Sequence, residues 1–203
     1  MHEHDCYPQD QITGVVLAGG RGRRMGGVDK GLELLAGRPM AAYAVAALRE
    51  QCGQVLLNAN RNGALYAELG CRVFADASGD FDGPLAGIAT GLAEAGQDLV
   101  LFAPCDSPLV SPLLGERLYQ ARARAGAEIA VAHDGERLHP VFALIPAALS
   151  ASAAAFLAAG ERKIDLWYAQ HHTVKVPMQD LADSFLNINR IADKAALEAR
   201  LAR

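Results

Sequence analysis

Apolar runs and helical patterns alternate along the chain from residue 12 onward. ITGVVLA (12–18) is a continuous apolar run, as expected of a strand buried on both faces, and it ends abruptly in glycines. MAAYAVAALREQC (40–52), rich in Ala and Leu, predicts a helix closed by Gly53. QVLLNAN (54–60) predicts a second strand, RNGALYAELG (61–70) a short helix ending at a C′-type glycine, and CRVFAD (71–76) a third strand. PLAGIATGLAEAG (84–96) predicts a helix with Pro84 at its start and a stop at Gly96. DLVLFAPCD (98–106) is the most apolar run and is expected at the centre of a sheet. Beyond it the pattern predicts helix at 112–125, strands near 128–132 and 139–145, helices near 146–159 and 162–170, and a strand at 173–176. The terminal SFLNINRIADKAALEARLA reads as a short strand, an Asn cap and an amphipathic helix.

Strands alternating with helices call for an α/β fold around a mostly parallel sheet. No internal repeat or long linker divides the chain, so residues 12–203 read as one domain behind a flexible N-terminal extension, 1–11. In such sheets ligands bind beyond the carboxyl ends of the strands. The residues closing the first four strands are Gly19-Gly20, Asn58, Asp76 and Asp106. Singly, each is an ordinary turn residue. Together on one edge they mark a shared site.

Composition narrows the ligand. The 203 residues carry a net charge of -4, which argues against a general nucleic-acid binder. Yet Arg21, Arg23, Arg24 and Lys30 crowd the segment after the first strand, with Asp29 as the one acid there. That local cluster points to a small, strongly anionic ligand. No apolar run approaches the roughly 18–20 residues of a membrane span. The polar start, MHEHDCYPQDQ, lacks the apolar stretch of a secretory signal, so a cytoplasmic protein with reduced cysteines is expected. Cys6, Cys52, Cys71 and Cys105 have no paired metal-type spacing, and Cys105 is expected to be a buried structural thiol. His2, Glu3 and His4 read as a frayed terminus.

Two phosphate motifs fail in the glycine loop. A G-x-G-x-x-G starting at Gly20 and Gly22 ends on Met25, and Gly27 is followed by Val28 where a Walker lysine belongs. The physics still suits a polyphosphate. Glycines let backbone N–H groups turn inward as an anion-binding nest, and the basic residues neutralise a triphosphate and a leaving pyrophosphate. Asp106 closes the most apolar strand, where a lone carboxylate is costly unless paired or coordinated. Mg²⁺ takes a carboxylate or two together with phosphate oxygens. Loop, cations and aspartate together suggest metal-assisted nucleotidyl transfer.

LAGGRGRRMGGVDKGL resembles the signature of the small glycine-loop nucleotidyltransferases: LAGG, then R-M-G, then D-K. VLLNANR, VFADASGDFDGPLAGI, LFAPCDSPLV, HDGERLHPVFAL, AGERK and FLNIN extend the resemblance over about 11–200, to the molybdenum cofactor guanylyltransferase (MobA) family. RMGGVDK has one residue more than many relatives, a longer form that the bacterial guanylyltransferases share. The resemblance implies a Rossmann-like three-layer sandwich of the nucleotide-diphospho-sugar-transferase type. It implies transfer of GMP from GTP to the phosphate of molybdopterin, or its molybdenum form, with Mg²⁺ and release of pyrophosphate.

Residue by residue, the resemblance places Leu17, Ala18, Gly19 and Gly20 around the base, ribose and phosphates. It puts Arg24 and Lys30 on the phosphates, Asn58 and Asp76 at the base and sugar end, and Asp106 on the metal. Catalysis would rest with Arg24, Lys30 and Asp106. Gly83, Gly87, Arg162, Asn187 and Asn189 would line the pterin groove, although Asn189 also suits an N-cap. His139 reads as a structural histidine. A monomer is expected, with at most transient contacts to other molybdenum-cofactor proteins. The rival readings are a cytidylyltransferase on the same pterin, a sugar-1-phosphate nucleotidyltransferase, and a non-catalytic nucleotide sensor.

Overall fold

The computed structural model describes residues 7–20, 29–77, 83–188 and 191–201. Ile12–Leu17 forms β1, with all six residues buried. Leu34–Leu35 (β2) and Arg38–Pro39 (β3) pair as a small antiparallel hairpin. Met40–Arg49 (α1), Gln54–Asn58 (β4), Gly63–Ala67 (α2), Arg72–Phe74 (β5) and Pro84–Glu94 (α3) follow. Then come Leu99–Pro104 (β6), Leu114–Ala125 (α4), Ile129–His133 (β7) and Leu138–Pro146 (β8). Ser150–Ala158 (α5), Ile164–Tyr168 (α6), Thr173–Pro177 (β9) and Ile191–Leu201 (α7) complete the order.

Seven strands form one sheet in the order β5-β4-β1-β6-β8-β7-β9, with β6 in the middle as its apolar sequence predicts. All neighbours are parallel except β8, which runs antiparallel to both β6 and β7. The cause is local: only residues 134–137 join β7 to β8, enough for a hairpin and far too few for a crossover.

Side chains alternate across the sheet and fill a core on each face. Val16 and Ala18 join Leu48 of α1 with Leu114 and Leu118 of α4. Val15 and Leu17 join Ile88 and Leu92 of α3, Phe156 of α5 and Trp167 of α6. The result is the expected three-layer α/β sandwich. A third, smaller cluster of Leu35, Met40, Ile188 and Leu197 fastens α7 to the β2–β3 hairpin.

Two expectations need correcting. Residues 179–185 form a 3₁₀ segment where a short strand was expected near its end. Tertiary contact decides this: Phe185 is buried, stacked on His139 with ring centroids 4.4 Å apart and meeting Phe142 edge-on. Residues 7–11 are not a flexible extension. Gln9 accepts a hydrogen bond from the Gly53 N–H at 2.8 Å, and the Tyr7 ring packs edge-on against Tyr119. Among the described residues, no helix is long and apolar enough to cross a membrane.

Candidate active site

The strand register builds the site. Leu17 lies opposite both Asn58 and Pro104, and Asn58 lies opposite Phe74. β1, β4, β5 and β6 therefore end at one level. Backbone bonds extend the ladder one step further: Ala18 N–H to Asn58 O at 2.8 Å, Ala59 N–H to Phe74 O at 2.8 Å, and Cys105 N–H to Leu17 O at 3.0 Å. The Ala18 N–H is thus used by the sheet, and an anion-binding nest can begin only at Gly19.

The first group forms around Asp76, which is buried together with Asn58. Asn58 Nδ2 donates to Asp76 Oδ1 at 2.8 Å, and Asn60 Nδ2 donates to Oδ2 at 2.6 Å. The Asp76 N–H donates back to Asn60 Oδ1 at 2.7 Å, which closes a ring. Two amide donors satisfy a buried carboxylate that would otherwise be costly. Gly19 and Gly87 press on this group. A Cβ at Gly19 would stand 2.9 Å from Asn58 Oδ1, and one at Gly87 2.6 Å from the same atom and 3.0 Å from Leu17 Cδ2. At Gly20 a Cβ would meet nothing within 4 Å, so the steric demand for glycine falls on Gly19. Arg61 Nη2 reaches Gly20 O at 3.4 Å and brings a further cation to the loop.

The second group forms around Asp106. Lys30 Nζ stands 3.2 Å from Asp106 Oδ2, with both side chains largely buried. Beneath the aspartate, Cys105 is buried, and burial foremost, with the neighbouring carboxylate second, pushes its thiol well above the ordinary range. Its burial is that expected of a structural thiol. The segment before α7 is tied to the same turn: Ser107 Oγ donates to Asn187 Oδ1 at 2.8 Å, and the Ile188 N–H donates to Asp106 O at 2.9 Å.

The remaining candidates are placed differently. Gly83 caps α3 with φ 83° and ψ -173°, a backbone open essentially to glycine alone. Arg162 is anchored on α5, donating Nη1 to Leu157 O at 2.7 Å and Glu161 O at 2.8 Å. Arg24 and Asn189, with Arg21 and Arg23, lie outside the described residues. His139 is structural: its Nε2 is 2.7 Å from Asp134 Oδ2. Backbone N–H of Arg137, then His139 and the N–H of Glu136, hold the Asp134 carboxyl well below the usual carboxylate range.

Sequence reasoning passed over Asn60, Arg61 and Ser107. Asn60 carried a signal, since it stands two residues beyond Asn58 and so on the same side of an extended chain. The donor set also says which metal could fit. Among the described residues no three or more His, Cys, Asp or Glu gather into a metal cage. A single strand-end carboxylate fits a hard cation whose other ligands are phosphate oxygens and water, as Mg²⁺ prefers.

The family model for the MobA-like NTP transferase domain matches residues 14–174. The chain is 48% identical over 202 residues to a molybdenum cofactor guanylyltransferase of Ralstonia nicotianae, covering 95% of this chain and 98% of that one. In fold it is similar to the crystal structure of molybdopterin-guanine dinucleotide biosynthesis protein A from Archaeoglobus fulgidus, with a TM-score of 0.79 and 23% identity over 94% of this chain and 98% of that one. It is also similar to 2-C-methyl-D-erythritol 4-phosphate cytidylyltransferase from Thermus thermophilus, with a TM-score of 0.68 and 19% identity over 93% and 98%. The fold alone therefore does not select the base.

Proposed function

The chain belongs to the MobA-like NTP transferases, and on that premise we propose that it transfers GMP from GTP to the terminal phosphate of molybdopterin or its molybdenum form. The observation that carries the reading is the Lys30–Asp106 pair, set at the same sheet edge as the Asp76 group. In this reaction a phosphate oxygen of the pterin attacks the α-phosphorus of GTP. The new P–O bond forms as the bond to the β-phosphate oxygen breaks, and pyrophosphate leaves. The attacking group is already ionised, so no general base is needed. Positioning and charge neutralisation carry the rate.

In this reading Leu17 and Ala18 give apolar contact to the nucleoside, and Gly19 and Gly20 offer backbone N–H groups to the phosphates. Asn58 and Asp76 hold the base and sugar end. Lys30, with Arg24 from the loop outside the described residues, takes the phosphate charge. Asp106 would hold Mg²⁺, which when bound supplies further neutralisation of the phosphates. Gly83, Gly87, Arg162, Asn187 and Asn189 belong to the pterin side, where Asn187 also anchors its segment through Ser107. The same reading makes 12–203 a single catalytic domain of a cytoplasmic monomer.

The test supplies molybdopterin and magnesium with GTP or CTP in separate reactions and measures pyrophosphate and the dinucleotide product. GTP should be consumed and CTP poorly, because an unmatched base leaves pocket groups unpaired at about 1–3 kcal/mol each. Equal turnover of both would return the cytidylyltransferase reading. Binding of GTP without pyrophosphate release would favour a sensor.

A further inference from the structure

We infer that Tyr66 and Asn62 are positioning residues of this reaction, acting through Asp29 to hold Lys30 in place; the inference rests on the role proposed for Lys30. Asp29 precedes the lysine, and both its carboxylate oxygens are held by α2 or its cap. Asn62 Nδ2 donates to Oδ2 at 2.9 Å, and the Tyr66 hydroxyl donates to Oδ1. Gly31, on the other side of Lys30, lies against the Tyr66 ring: a Cβ there would overlap the hydroxyl and stand 3.1 Å from Cε1 and Cζ. The lysine backbone is therefore bracketed, bonded before and packed after.

The support is itself rigid. Tyr66 is fully buried, and Asn62 sits at φ 54° and ψ 28° with its carbonyl accepting from the Leu65 and Tyr66 N–H groups at 2.9 and 3.1 Å. One helical turn thus fixes both donors relative to each other. On the loop side, Leu32 N–H to Asp29 O at 3.0 Å and Glu33 N–H to Lys30 O at 3.2 Å wind the chain into a 3₁₀ turn. Asp29, Lys30 and Gly31 therefore move together or not at all. A displacement of about 1 Å at a charge-bearing group can cost a hundredfold in rate.

The test is a double-mutant cycle on the full chain, read as kcat and KM for GTP. Tyr66→Phe keeps the ring packed and removes only the donor. It should lower kcat/KM about tenfold, mostly in kcat. In a Lys30→Ala background the same change should cost less than about twofold, because there is no lysine left to position. Multiplicative effects in the two backgrounds would overturn the inference, since Tyr66 would then act independently of Lys30. A second arm exchanges the partners. Asp29→Asn alone and Asn62→Asp alone should each lose activity, and together they should regain most of it, because donor and acceptor again face each other. A double exchange no better than either single change would also overturn it. Thermal melts of every variant keep loss of fold apart from loss of position. Lys30→Ala at full turnover would instead remove the site reading beneath the inference, an outcome distinct from a multiplicative cycle.

Discussion

Lys30 Nζ and Asp106 Oδ2 stand 3.2 Å apart, joining the root of the glycine loop to the end of the central strand. The side chains are 27% and 14% exposed, so the aspartate has a counter-ion inside the protein. A cation reaching Asp106 must share or replace that lysine. In the function proposed above, the lysine so released would turn to the phosphates of the nucleotide.

This exchange gives the two residues different phenotypes. Asp106→Asn keeps size and shape but removes the charge that draws a hard cation, so turnover should fall by about a hundredfold or more and added magnesium should restore little. Metal-free GTP binding should hold or tighten, because the charge at residue 106 no longer competes with phosphate for Lys30. Lys30→Ala should weaken GTP binding and slow transfer while lowering the magnesium needed for half-maximal rate, because the cation no longer has to displace the lysine from Asp106. Initial rates across a magnesium series, with calorimetric titration of GTP, measure both. Normal turnover of Asp106→Asn at low magnesium would reduce the aspartate to a turn residue.

Gly19 and Gly20 should separate in the same way. A methyl at Gly19 meets Asn58 Oδ1 at 2.9 Å and Asn60 Nδ2 at 3.1 Å, atoms of two side-chain amides whose Nδ2 groups both donate to Asp76. Gly19→Ala should therefore cost about 1–3 kcal/mol of stability and weaken GTP binding together. Gly20→Ala points into open space and should leave the melting temperature unchanged, so any loss of GTP affinity there reports the ligand itself. Gly19→Ala with native stability and affinity would show that the Asp76 group is slack.

Much of this edge was legible because its causes are local. VVL and LVLFA are continuous apolar runs, and only strands covered on both faces bury them fully. The polar residues that follow then had to gather at one sheet edge. The β2–β3 hairpin was missed, since strands of two residues hold no alternation to read. The antiparallel β8 could have been inferred from its four-residue connection, 134–137, but not from its own residues. Asp76 was expected at the end of its strand; it lies two residues past Phe74, and Asn60 keeps it there. Partnerships such as Asn60–Asp76 and Tyr66–Asp29 join residues 16 and 37 positions apart, and no periodicity records them.

The buried acids predict how the fold responds to alkali. Burial pushes the Cys52 thiol up to about 12 from 9.0, and it raises the phenols of Tyr7, Tyr66 and Tyr168 beyond their usual 10.0. In each case the unfolded chain gives up its proton first. Between the unfolded and folded values the unfolded state binds fewer protons, so stability falls as pH rises. The contribution of Cys52 should be complete below about pH 9 and drain away toward pH 12, at no more than about 1.4 kcal/mol per pH unit. Urea unfolding at pH 7.5, 9 and 10.5 measures the slope. Cys52→Ala should begin less stable, since it leaves a gap beside Gly14 where Cys52 Sγ packs, yet decline less steeply above pH 9. The tyrosines add their share only above about pH 10, so the difference between the two proteins at pH 9 to 10 isolates the thiol. Identical slopes there would mean that Cys52 ionises in the folded protein as freely as in the unfolded chain, and that the packing of α1 against β1 admits water.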